Sequence, residues 1–279
     1  MAAVLEKFRE KICPIVKWLG GKRQLIFELL SNMPESYNRY FEPFFGGGAL
    51  FFELQPNNAY IGDINKELIT LYWVVRDNVD ELITDLKRHE FSKEYFINIR
   101  NVDRTQEYDG WSDVKKSSRF VYLNKTCFNG MYRVNSQGKF NVPFGDYKNP
   151  KIIDEYNLIN CSKLLKKTEI RHADFSDVLH YAKKGDFVYF DPPYLPLNET
   201  SNFTSYTKDG FDIDMHFRLR DVCDDLDARG VKFLLSNSDT MLANELYKNY
   251  NVKKVFASRQ INANADGRGK ITEILVRNY

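Results

Sequence analysis

The sequence predicts an α/β fold: a mainly parallel, Rossmann-like sheet with helices on both faces, interrupted by an inserted helical segment that bears a β-hairpin. Three observations carry this. Tyr40–Pro43, Phe44-Phe-Gly-Gly-Gly48 and Ala49–Leu54 read as strand, glycine turn and helix start. Ala59–Gly62 is a second apolar run that ends on Asp63, and Asp186–Phe190 is another that ends on Asp191. Between these runs strand-helix alternation is lost, from about Ser92 to Lys167.

In chain order, the apolar spacing predicts helices from about Lys66 to Asn78 and from Val79 to Glu90. A helix over Asp113–Thr126 follows, then a turn-rich stretch, Phe128–Lys139, with Ser136-Gln-Gly138 as the bend. Alternation resumes with Thr168–Ala173 before Asp174, then Asp186–Phe190, a helix Asp214–Arg229 and a strand Val231–Leu235. A helix near Thr240–Asn249 leads to two last strands, Asn251–Phe256 and Glu273–Arg277. The domain bounds are placed at 1–65 and 168–279 for the sheet-bearing domain and 66–167 for the insertion.

A chain of 279 residues, 43% hydrophobic and 28% charged, can bury a full core. No apolar run approaches the roughly 20 residues that a membrane span needs, and charges stand where a signal peptide would be apolar. A cytoplasmic protein with no membrane partner is expected. Cys13, Cys127, Cys161 and Cys223 form no C-x-x-C pair, and His89, His172, His180 and His216 have no ligand spacing, so neither disulfides nor a metal is assigned.

Charge is uneven. Between Val114 and Ile153 stand eight Lys and Arg and one acid, Asp146, a local balance of +7 that leaves −5 to the rest of a chain of net charge +2. A solvated lysine-rich face would account for such a run, and so would a nucleic-acid surface.

The chemistry concentrates at Asp191-Pro-Pro-Tyr194, directly after an apolar strand, where ligands bind in open α/β sheets. The amino nitrogen of adenine is a poor nucleophile because its lone pair is delocalised into the ring. The Asp191 carboxylate and a backbone carbonyl beside Pro193 could accept the two amino hydrogens and localise that lone pair toward a methyl donor. Tyr194 offers a face for a base extruded from the duplex. The competing reading is a proline-stiffened turn. The Phe44–Gly48 turn also suits other nucleotide cofactors and purely structural turns. Asp63, one strand on, could accept ribose hydroxyls, or could instead cap the helix that follows.

Six separated motifs then stand in a familiar order: Lys17-Trp-Leu-Gly-Gly-Lys22, Phe41-Glu-Pro-Phe-Phe-Gly-Gly-Gly48, Asp63, Phe128-Asn-Gly-Met-Tyr-Arg133, Phe140-Asn-Val-Pro-Phe-Gly145 and Asp191-Pro-Pro-Tyr194. Over nearly its whole length the chain resembles the DNA adenine methylase (Dam) family, most of all the GATC-methylating members attached to type II restriction systems. The resemblance implies an S-adenosylmethionine (AdoMet) methyltransferase sheet with an inserted target-recognition domain, acting on double-stranded DNA. It implies that Trp18, Gly20, Lys22, Glu42, Pro43, Phe44, Gly46, Gly48, Asp63, Asp174 and Asp191 serve the cofactor. Asp191, Pro192, Pro193 and Tyr194 would form the catalytic pocket. Lys17, Phe128, Asn129, Met131, Arg133 and Pro143 match positions that read or wedge into the recognition site. Asp146 stands where many relatives carry a basic residue, so no phosphate contact is assigned to it. The loop Leu197–Phe211 resembles the segment that orders over the flipped adenine.

Elementary chemistry agrees with these roles. Arg133 can donate two parallel hydrogen bonds to guanine, Phe128 or Met131 can fill the space of a displaced base, and Lys115, Lys116 and Lys125 can meet phosphates. A cognate restriction endonuclease encoded nearby, without a stable complex, is a possible partner. The rivals are methylation of another amino group, in RNA, cytosine or protein glutamine, a dinucleotide-dependent oxidoreductase, and a catalytically silent DNA-binding module.

Overall fold

The computed structural model describes residues 10–196, 211–258 and 270–279; the loop expected over Leu197–Phe211 lies, but for Phe211, outside them. Two compact units interleave along the chain. One takes in the chain up to Gly21, with Gly46–Asn57 and Asn65–Ile170; the other takes in Lys22–Phe45, Asn58–Ile64 and Arg171–Tyr279.

The second unit is built on the sheet. Its strands are β1 (Tyr40–Glu42), β2 (Ala59–Asp63), β3 (Thr168–His172, whose first three residues belong to the other unit), β4 (Phe187–Phe190), β5 (Lys232–Ser238), β6 (Asn251–Ser258) and β7 (Lys270–Arg277). Their order is β3-β2-β1-β4-β5-β7-β6. β1 runs parallel to β2 and β4, and β4 parallel to β5, while β7 lies antiparallel between β5 and β6. The order reverses at β1 and β4, the place where an open α/β sheet opens a crevice beyond its carboxyl ends. Every residue of β1 and β4 is buried, as strands covered on both faces require. Leu219, Val222, Cys223 and Leu226 of the helix Ile213–Ala228 pack into the same core as Phe190, Phe233 and Ile274.

The first unit is helical. Asn65 caps the helix Lys66–Asp77 by accepting from the Leu68 amide, and Ser112 caps Asp113–Thr126 by accepting from Lys115. Arg119, part of the basic run, is 3% exposed and paired with Asp103 at 2.8 Å. It also donates to the carbonyls of Ile99 and Arg100, so this guanidinium holds helices together rather than facing solvent. Asp103 accepts from the Phe140 amide as well, which ties the turn-rich stretch to the helices. That stretch forms two isolated bridges, Val134 with Phe140 and Cys127 with Phe144, rather than a continuous ladder. The Asn135 carboxamide accepts from the Gln137 and Lys139 amides and sets the bend, and Gly138 takes the left-handed conformation.

Helix ends differ from the sequence expectation where apolar contact stops. Val79–Leu86 ends with Leu82, Ile83 and Leu86, the last residues it buries. Met241–Leu246 begins one residue later than expected because Thr240 is its cap.

Candidate active site

Acidic side chains stand at the carboxyl ends of three neighbouring strands: Glu42 on β1, Asp63 on β2 and Asp191 after β4. Glu42 is 3% exposed and accepts the Tyr40 hydroxyl at 2.6 Å. Burial and then the Glu42 charge push the Tyr40 phenol well above its ordinary pKa, so it stays a donor. Phe45 donates its amide to the Gly62 carbonyl, laying the turn after β1 against β2, and Phe44 stacks on Phe175. Helix capping, the alternative reading of Asp63, falls to Asn65 instead.

Asp174 is half-buried. It caps the short turn Phe175–Asp177, accepting from the Ser176 amide and hydroxyl, and pairs with Arg218 at 2.6 Å. Burial alone would raise its pKa, but the Ser176 bonds and Arg218 outweigh that and hold the carboxyl below the ordinary range.

Asp191 leaves β4 beside β5, and its Oδ1 accepts the Ser236 hydroxyl at 3.0 Å and pairs with Lys22 Nζ at 2.8 Å. Lys22, which the family resemblance assigns to the cofactor, thus stands against the Asp-Pro-Pro-Tyr loop, its Nζ 4.4 Å over the Tyr194 ring. Leu195 donates its amide to the Asn237 carboxamide and accepts the Ser238 hydroxyl. Ser236, Asn237 and Ser238 therefore clamp both ends of the Asp191–Leu195 loop. Sequence reasoning missed all three, since nothing in a polar strand end announces what it holds. Tyr194 donates to Glu273 at 2.7 Å. Burial, then the charges of Asp191 and Glu273, push the Tyr194 phenol well above its ordinary pKa.

In the first unit Trp18 stacks on Tyr132, with ring centroids 5.5 Å apart, and lies against Gly46. A Cβ at Gly46 would come within 2.7 Å of Trp18 Cδ1, and Gly46 has φ +49°. The glycine is thus required by backbone conformation and by the indole alike. Gly46→Ala should lower stability by about 1–2 kcal/mol, read as a fall in Tm with altered tryptophan emission. An unchanged Tm would show that the turn relaxes freely.

The same unit joins Lys17 to the turn Phe128–Gly130. Asn124, 2% exposed, accepts the Lys17 amide and donates to the carbonyls of Lys17 and Gly130. Sequence reasoning did not single out Asn124 either. Phe128 is exposed, Asn129 takes a left-handed φ of 55°, and Met131 is half-buried against the Phe96 and Tyr122 cluster. Pro143 accepts the Phe128 amide through its carbonyl. Arg133 donates from Nε to the Asn141 carboxamide at 2.7 Å and from Nη2 to its carbonyl at 3.2 Å. Lys115 lies 3.7 Å over Trp111 and Lys116 5.3 Å over Tyr108. No group of metal-ligating side chains occurs among the described residues.

A mainly parallel sheet whose order reverses at β1 and β4, acids on three adjacent strand ends and a clamped Asp-Pro-Pro-Tyr loop fit an AdoMet-dependent amino-methyltransferase. Residues 18–261 match the model of the D12 class N6 adenine-specific DNA methyltransferases, and the chain belongs to that family, which transfers the methyl group of AdoMet to adenine N6 in DNA. It is 49% identical over 280 residues to the type II methyltransferase M1.LlaDCHI of Lactococcus lactis subsp. cremoris, with 99% of each chain covered. It is 45% identical to the type II methyltransferase M.MjaIII of Methanocaldococcus jannaschii, over 96% of this chain and 100% of that one. Identity to the DNA adenine methylase of Escherichia coli K12 is 32%, over 93% of each.

Proposed function

We propose that the chain methylates the adenine of GATC in double-stranded DNA as the modification enzyme of a restriction-modification system, by base flipping and direct transfer. One observation carries the chemical part: Asp191, whose Oδ1 is held by Ser236 and Lys22, beside Tyr194. Oδ2 takes one hydrogen of the adenine amino group, while the carbonyl beside Pro193 takes the other. The lone pair of N6 then points away from both acceptors. Pro192 and Pro193 stiffen the loop, and Tyr194 stacks the extruded base. AdoMet supplies a methyl carbon made electrophilic by its sulfonium. Trp18, Gly20 and Lys22, the Glu42–Gly48 turn and Asp63 hold it, with Asp63 on the ribose and Asp174 toward the adenine. Buried Glu42 and the glycine-shaped turn suit a ligand with an amino-acid end and a nucleoside end.

No covalent nucleophile is needed: burial pushes the Cys127 thiol up to about 11 and also raises Cys161 and Cys223, so none is a ready thiolate. Segment 66–167 acts as the target-recognition domain, with Lys17, Phe128, Asn129, Met131, Arg133 and Pro143 at the bases and Lys115, Lys116 and Lys125 at phosphates. The names of two relatives, both type II methyltransferases, support the restriction-modification role. Mapping of modified adenines across the genome of cells expressing the protein should return GATC; another consensus, or modified cytosine, would sink this reading.

The cofactor part has its own test. Asp63→Ala should weaken AdoMet by about 1–3 kcal/mol, the typical loss of a charged hydrogen-bond acceptor. Titration calorimetry should show DNA affinity nearly unchanged, whereas equal weakening of both ligands would point to a structural role for Asp63.

A further inference from the structure

We propose that Glu273 is a positioning residue for methyl transfer, its carboxylate accepting the Tyr194 hydroxyl and so fixing the ring on which the target adenine stacks. The proposal rests on the reading of Asp191–Tyr194 as the target-base pocket.

Glu273 lies on β7 opposite Ser238 of β5 and is 8% exposed. The next three residues, Ile274, Leu275 and Val276, are apolar and buried. An acid beside them costs desolvation that packing does not repay, unless a donor meets it. That donor is the Tyr194 hydroxyl, 2.7 Å from Oε2, a charge-assisted bond. The direction of the bond is fixed, because burial and the two nearby carboxylates keep the phenol protonated.

The contact adds to the loop anchors. Ser236 holds the Asp191 side chain and also lies within reach of the Tyr194 hydroxyl, and Asn237 and Ser238 hold the backbone of Leu195. Glu273 fixes the tip of that ring, and Lys22 Nζ lies over its plane. A phenol donating to a carboxylate also has a more electron-rich ring. Methyl transfer builds positive charge on N6, and an electron-rich face attracts it; the Lys22 ammonium shows that this ring accepts a cation.

The test uses the full chain with AdoMet and unmethylated plasmid DNA, whose many sites make it independent of the GATC assignment. Single-turnover rates, AdoMet affinity and Tm are measured for Glu273→Ala, Glu273→Gln, Tyr194→Phe and the double variant Glu273→Ala with Tyr194→Phe. Glu273→Ala should slow transfer roughly 10- to 100-fold, the scale of a small misplacement of a reacting group, with AdoMet affinity within about twofold. Tyr194→Phe should lose a similar factor, and the double variant no more than the worse single one, because both remove the same bond. Glu273→Gln keeps an acceptor and should recover most of the rate. Additive losses, an unchanged rate in Glu273→Ala, or a loss of rate, Tm and AdoMet affinity together that Gln does not rescue would each overturn the proposal. Asp191→Ala and Tyr194→Ala serve as controls. If both keep near-normal turnover, the pocket reading itself falls; if both lose it while Glu273→Ala does not, only the role of Glu273 falls.

Discussion

Asp191→Ala should reduce methyl transfer by about 10²–10³-fold or more, the scale seen when one preorganised electrostatic partner of a transition state is removed. AdoMet affinity should stay close to normal, since the carboxylate is proposed to act on the base. The contacts of Asp191 add a complication. Its loss removes an acceptor of the Lys22 ammonium, 7% exposed, and of the Ser236 hydroxyl, both of which donate to Oδ1, so some stability is lost as well. Asp191→Asn separates the two effects. Its carboxamide oxygen can still accept from Ser236 and Lys22, but its amide then presents a donor to the donor hydrogens of adenine. Turnover should therefore fall as far as in Asp191→Ala, with a smaller drop in Tm. Single-turnover assays and calorimetry distinguish the outcomes. Near-normal turnover would remove Asp191 from catalysis, and joint loss of turnover and AdoMet binding would make it a cofactor or folding residue.

Arg133→Ala should cost about 1–3 kcal/mol against the proper site and much less against duplexes already altered at the base pair it reads. The Asn141 contacts favour this reading. They take Nε and one Nη2 hydrogen, holding the guanidinium plane while its outer edge can donate two parallel bonds. Lys115→Ala and Lys116→Ala should behave differently, weakening every sequence alike and lowering the salt slope by about one unit each. Both ammonium groups lean on aromatic rings, Trp111 and Tyr108, so part of any loss comes from the free protein. Methylation specificity constants on duplexes carrying every single substitution of GATC, at two salt concentrations, resolve the classes. Equal weakening of all duplexes by Arg133→Ala would make it a phosphate contact or a structural residue and remove base readout from this turn.

What the sequence determined by itself was local or ordered along the chain. The helix Asp113–Thr126 is marked by its apolar spacing, and the acids at the ends of β2 and β4 by the apolar runs they end. Both signals lie within a few residues of the feature they specify. The family, too, was legible in the order of six motifs. What only the tertiary structure decided are pairings between residues far apart in the chain. Arg119 counts as surface charge in the sequence, yet folding buries it on Asp103. Lys22, a cofactor residue by family resemblance, also meets Asp191, 169 positions away, and Tyr194 finds Glu273 79 positions on. Asn124 carries no motif and still joins Lys17 to Gly130. A buried polar group must find its partner wherever packing brings one within hydrogen-bond reach, and neither periodicity nor turn chemistry specifies which distant residue that is.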